Sequence, residues 1–205
     1  MHGALLMLLV ALEILVHELA HAVAALRLTS GPVHVHVGRY PGLVRVRFGR
    51  LHVQFHVLAA RGVSWSGICI FQPTVWPRQE AWIAALGPLA SLLWALACAV
   101  SLRVWGHDFD PLTRVIVAIA AVLAAANAVY NGAGALLPAV AADRPQADGA
   151  QVRWAIKADR ALRDHEHSIG RRLTRAEMLD LRHDGRLPAS ARRDVTASVA
   201  PPAAG

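Results

Sequence analysis

The chain reads as a mainly α-helical, polytopic membrane protein with three transmembrane helices and a small cytoplasmic antiparallel β-meander after the first. Three observations carry that reading. Apolar residues fill 55% of 205 positions and mean hydropathy is +0.39, above the composition of an ordinary soluble domain. They gather in three runs, Gly3 to Leu26, Ala81 to Leu102 and Val115 to Ala142, the last two without a charged residue. Each run exceeds the roughly 20 residues that cross a bilayer core about 30 Å thick as a helix. Between the first and second runs the apolar period changes from helical to two, which marks strands.

The first span is expected over about residues 3–28. It has no basic leader region and is too long for the apolar part of a signal peptide. Its C-terminal half carries His17-Glu18-Leu19-Ala20-His21. On a helix, positions i and i+4 lie one above the other, so His17 and His21 can present two imidazole nitrogens to one metal ion. Two neutral imidazoles suit one Zn²⁺ per chain. A neighbouring carboxylate that is not a ligand can accept a proton from a water whose pKa the metal lowers to about 7. Glu18 is that carboxylate, and the chemistry is that of a metallopeptidase. Ionisable groups inside a span are costly unless paired or liganded, so their presence there itself argues for a functional cluster. Glu13, one turn before His17, is placed to receive the ring N–H that does not face the metal.

Strands follow within residues 33–57. Val33, Val35 and Val37 alternate with His34 and His36; Val44, Val46 and Phe48 with Arg45 and Arg47; Leu51, Val53, Phe55 and Val57 with His52, Gln54 and His56. Pro41-Gly42 and Gly49-Arg50 are the expected turns, the second a two-residue loop with Gly first. The polar face reads as solvated, with a second metal site as the sharper alternative. Residues 58–77, interrupted by Gly62, Gly67 and Pro73, give no regular pattern.

The second span is expected over 80–104, flanked by Trp76, Trp82 and Trp105 as interfacial anchors. Inside it lies Gly87-Pro88-Leu89-Ala90-Ser91, small residues that permit close helix approach beside a proline that bends the axis. The third span, over 114–140, contains Asn127 and Asn131, the uncharged polar groups best suited to facing the interior. Leu136-Leu137-Pro138 follows, then Asp143 and Asp148-Gly149. A zinc ion held by two histidines needs a third protein ligand, and either aspartate can supply it. Beyond, Gln151 to Arg163 is amphipathic and suited to an anionic leaflet. Thr174 and Glu177 form a capping box for a short helix to about Arg182, and disorder is expected from Pro188 onward. Cys69 and Cys98 form no disulfide framework or CxxC site and read as packing residues.

Charge sets the orientation. The net charge is +7, yet residues 29–78 hold six Arg and no acid, 103–114 sum to zero, and 143–205 sum to +3. Basic residues thus collect on one side, as the positive-inside rule requires, without invoking nucleic acid. The N-terminus is then outside, and the tail and the HExxH end of the first span face the cytoplasm, with a bacterial plasma membrane as the expected setting. Nothing in the chain fixes an oligomeric state.

Taken together, HELAH at 17–21, GPLAS at 87–91 and LLP at 136–138 followed by Asp148-Gly149 resemble the site-2 protease family of intramembrane zinc metalloproteases. The resemblance covers about Leu5 to Val152. It implies a three-transmembrane-helix metalloprotease core, residues 1–156, followed by a cytoplasmic tail, 157–205, partly helical and then disordered. It implies His17 and His21 as zinc ligands, Glu18 as catalytic base and an Asp after the third helix as third ligand. Asp148 is the first choice. Asp143 is the alternative, because the family places Asp-Gly closer to its proline. It also implies transmembrane protein substrates cut in or near their spans, with release of a membrane-tethered regulator as one outcome. Glu13, Asn127 and Asn131 are the further candidates to support the ligands or touch substrate. Where the family usually has Asn before its Leu-Leu-Pro-like tripeptide this chain has Ala135, with Asn131 one turn earlier. That departure keeps open a non-catalytic membrane protein that binds single-span partners.

Overall fold

The structure, a computed structural model, describes residues 2–38, 42–56, 67–72, 74, 76–137 and 148–183. Its elements are α1 (His2–Leu28), β1 (Val33–Val37), β2 (Gly42–Phe48), β3 (Leu51–His56), β4 (Gly67–Phe71), α2 (Pro77–Trp105), α3 (Pro111–Leu136), α4 (Asp148–Ile169) and α5 (Arg175–His183). It is mostly helical, with one small four-stranded sheet. α1, α2 and α3 are each long and apolar enough to cross a membrane.

These helices turn mostly small residues inward, with Ile14, Ile83 and Ile116 the large ones among them, and most large apolar ones outward. On α2 the buried positions are Pro77, Ile83, Ala84, Gly87, Ser91, Ala95 and Cys98; on α3 they include Ile116, Ala120, Ala124 and Ala128. Leu92, Leu93, Leu96, Val115, Val122 and Val129 are exposed. A water-soluble bundle would reverse that order, whereas helices packed in lipid gain from close backbone approach at small residues. Proline opens both α2 and α3 at a position where its missing N–H costs nothing. Asp110 caps α3 by accepting from Leu112 N at 3.0 Å and Thr113 N at 3.1 Å.

The sheet corrects the expected meander. Strand order is β2-β3-β1-β4, so β1 pairs with β3 in parallel, Val33 opposite Leu51 and Val37 opposite Phe55, and antiparallel with β4. Only β2 and β3 form the expected hairpin, closed by Gly49-Arg50 with Gly49 at φ +58. Alternation assigns a face to each residue but no neighbour to each strand, and Val33, Val35 and Val37 alternate equally well beside either partner. What sets the order is burial. β1 packs on α1, with Val33 and Val35 fully buried, and therefore takes the centre of the sheet rather than an edge. Arg50 fastens the arrangement by donating to Leu26 O at 2.5 Å and Thr29 O at 2.6 Å, carbonyls at the end of α1. β4 lies in the stretch that showed no pattern.

Two further expectations change. α4 spends its small and apolar stripe, Ala155, Ala158 and Leu162, against neighbouring helices and packs on α2 and α3, so that stripe is not free for an anionic leaflet. The helix also runs unbroken through the expected boundary at 156/157. The capping box forms as read: Thr174 N donates to Glu177 Oε2 at 2.8 Å and Glu177 N to Thr174 Oγ1 at 3.3 Å. The Pro41 turn position, the side chain of His56, Val57, Pro138, Asp143 and the chain from 184 onward lie outside the described residues.

Candidate metal centre

In α1 the buried face is the polar one. Glu13, His17, Glu18 and His21 are all at most 7% exposed and lie on one stripe with Ile14 and Ala25. Helical spacing puts them there, and α2, α3 and the sheet close over them. The two imidazoles meet edge to face, with ring centroids 4.9 Å apart. Asp148, at the first position of α4 and 131 residues after His17, reaches the same point.

The three facing atoms form a nearly equilateral triangle. His17 Nε2 and His21 Nε2 are 3.2 Å apart, and Asp148 Oδ2 is 3.1 Å from the first and 3.3 Å from the second. The far side of each ring decides what these atoms carry. His21 Nδ1 lies 2.6 Å from Ile83 O, which can only accept, so that nitrogen holds the proton. Ser91 Oγ donates to Glu13 Oε1 at 2.5 Å, so it accepts from His17 Nδ1 at 2.8 Å. Both Nε2 atoms of the neutral rings therefore present lone pairs to each other and to a carboxylate. Such a triangle repels itself until a cation enters it. A proton relieves one edge, whereas a metal ion takes all three corners.

The edge lengths test that fit. A four-coordinate metal ion with bonds of about 2.0–2.1 Å has ligand atoms about 3.3–3.4 Å apart, leaving the fourth corner open. The observed edges range from equal to this to about 0.3 Å shorter, and His17, His21 and Asp148 form a group that could hold a metal ion.

A polar network behind the rings fixes them. Asn131 Nδ2 donates to Asn127 Oδ1 at 2.6 Å; Asn127 Nδ2 donates to Glu13 Oε1 at 2.9 Å and to Ser91 Oγ at 3.3 Å. Glu13 thus serves His17 through Ser91 rather than by direct contact. Asn127 and Asn131 stand behind the ligands, on α3. Ser91 is the residue that sequence reasoning passed over, although a hydroxyl in an uncharged span was a signal. The Ile83 carbonyl carries no side-chain signal at all.

Glycines admit these groups. A Cβ on Gly87 would fall on His21 Nε2 and come within 2.7 Å of His17 Nε2. One on Gly149 would come within 2.5 Å of Gly132 O and 2.6 Å of Ala135 N, so the start of α4 could not seat Asp148 so close to α3. On Gly67 it would come within 2.6 Å of Glu18 Oε1, which places β4 directly against the Glu18 carboxyl. His34 and His52 are strand neighbours with centroids 4.6 Å apart, and burial, together with the His52 charge, pushes the His34 pKa down. Comparisons with protein-family models, curated proteins and solved structures find no match to this chain.

Proposed function

We propose that this chain is an intramembrane zinc metalloprotease that hydrolyses peptide bonds in or near transmembrane segments of other membrane proteins. The observation that carries the reading is the triangle of two imidazole lone pairs and one carboxylate, buried between apolar helices and supported from behind by Ser91 and the Ile83 carbonyl. A nitrogen-rich, four-coordinate set with an open corner suits Zn²⁺ over Mg²⁺ or Ca²⁺, which prefer oxygen ligands and higher coordination. When bound, the ion supplies a Lewis acid that acidifies water and polarises a scissile carbonyl. Glu18 accepts the proton at its carboxylate and returns it to the leaving amine. His17 and His21 hold their Nδ1 protons toward Ser91 and Ile83, which keeps both Nε2 atoms free to ligate. α1, α2 and α3 form a polytopic core that limits water to this polar interior, with the N-terminus outside and the C-terminal helices in the cytoplasm. Substrates are spans unwound enough to expose a peptide bond.

The test uses Glu18→Gln in the full chain, co-expressed with a tagged panel of single-span membrane proteins. Zinc stoichiometry should stay at one per chain while cleavage falls at least a thousandfold. Unchanged cleavage would overturn the role of Glu18. A wild-type protein that holds zinc and cuts no member of the panel would favour the non-catalytic, partner-binding reading.

A further inference from the structure

A second polar site lies at the far end of α1. Arg27 stands six residues beyond His21, about 9 Å along the helix. There the end of α1, the chain leading into α2 and the first residue of α5 border a half-open cavity of about 390 Å³. Arg27 and Arg175 line it with Ser30, Trp76 and Gln79, and no carboxylate is among its described lining residues. Nearby, Arg50 is engaged on the carbonyls of α1 and Arg171 on Glu177. Arg27 and Arg175 make no hydrogen bond or ion pair among the described residues.

Their convergence is built, not incidental. Trp76 caps the start of α2 and packs against Leu162, Leu173 and Met178, so the α4–α5 hairpin is held where its Arg175 faces the end of α1. Arg27 and Arg175, both exposed, come from distant parts of the chain to line the same cleft, where one anion can meet both. Two guanidinium groups with a hydroxyl and an amide at hand match the several acceptor oxygens of a phosphate. The end of α1 and the start of α2 also lie on one side of the membrane-length helices, the level at which basic pockets meet phospholipid headgroups.

We propose that this cavity binds a phosphate group, held between Arg27 and Arg175. Two sources share that chemistry, an anionic phospholipid headgroup and a free phosphate compound. The lipid source rests on the bilayer reading above; the cavity itself does not.

Full-length protein, stripped of lipid in neutral detergent, is titrated with phosphatidylglycerol, read by native mass spectrometry, and separately with inorganic phosphate, read by thermal shift. Arg27→Gln/Arg175→Gln should bind at least tenfold more weakly, while Arg45→Gln/Arg47→Gln on the sheet binds as the wild type does. Retained zinc confirms that each variant is folded, and the single Arg175→Gln, on an exposed helix start, provides the same test with the least disturbance. Binding of phosphatidylglycerol alone assigns a lipid headgroup; binding of inorganic phosphate assigns a free phosphate compound. The proposal is overturned if neither probe binds, if the double variant binds as tightly as wild type, or if the sheet variant weakens equally. None of these outcomes depends on proteolysis.

Discussion

Ser91 is the residue on which the candidate centre turns. Its hydroxyl accepts from His17 Nδ1 and Asn127 and donates to Glu13, so from α2 it satisfies a candidate ligand and a buried carboxylate on α1 and an amide on α3. Ser91→Ala should cost about 1–3 kcal/mol by leaving those partners unmet and weaken metal binding about 10–100-fold, because the His17 tautomer is no longer fixed. Competition titration against a chromophoric zinc chelator measures the second effect. Ser91→Thr, which keeps the hydroxyl, should restore much of it. Gly87→Ala should leave the metal substoichiometric, since its methyl occupies the space of both imidazole edges. Asp148→Asn should abolish stoichiometric metal while Asp143→Asn keeps it; the opposite pattern would reassign the third ligand. At this scale the pentapeptide was legible because i,i+4 geometry is local. Ser91 was harder to see, because its importance comes from neighbours 36 to 78 positions away.

Among the elements, β4 and α5 show how edges are used. β4 is an edge strand whose Gly67 lies against Glu18, so the sheet bounds the site on one side. Gly67→Ala should shift the Glu18 carboxyl and lower cleavage while leaving zinc stoichiometry intact, as metal content and activity measured on one preparation will reveal. α5 depends on its cap. Arg171 and the Thr174 amide hold the Glu177 carboxyl down from 4.5 to about 2. A depressed folded-state pKa contributes stability that is complete above about 4.5 and disappears as pH falls toward 2. Hydrogen exchange of 175–183, corrected for intrinsic rates, should therefore quicken between pH 5 and pH 2 in the wild type and change much less in Glu177→Gln. The capping box was readable because it spans four consecutive residues, whereas the parallel pairing of β1 with β3 was not, since period-two alternation is the same for every neighbour.

For the whole molecule, a metal ion held in the triangle would act as a cross-link. His17 and His21 belong to α1 and Asp148 to α4, so an ion in the triangle ties the first helix to a helix that packs on both α2 and α3. A ligand that binds only the folded state adds RT ln(1 + [L]/Kd), about 4 kcal/mol at a thousandfold excess over Kd. Removing it with a chelator should lower Tm by several degrees and speed exchange at the start of α4 more than in β1. Equal destabilisation of both regions would argue against a cross-link at this position.

The sequence by itself determined what short-range periodicity can carry. Helices of membrane length, two histidines and a glutamate on one helical face, alternating strands and a capped final helix all follow from rises and repeats within a few residues. Tertiary structure alone decided which strand lies beside β1 and that Ser91 links His17 to Glu13, and it brings Asp148, the first-choice aspartate, to the two imidazoles. Those are meetings of atoms 18 to 131 positions apart, and no local period encodes them. They are set by which faces must be buried together, and by glycines at 67, 87 and 149 that let the chain come close enough.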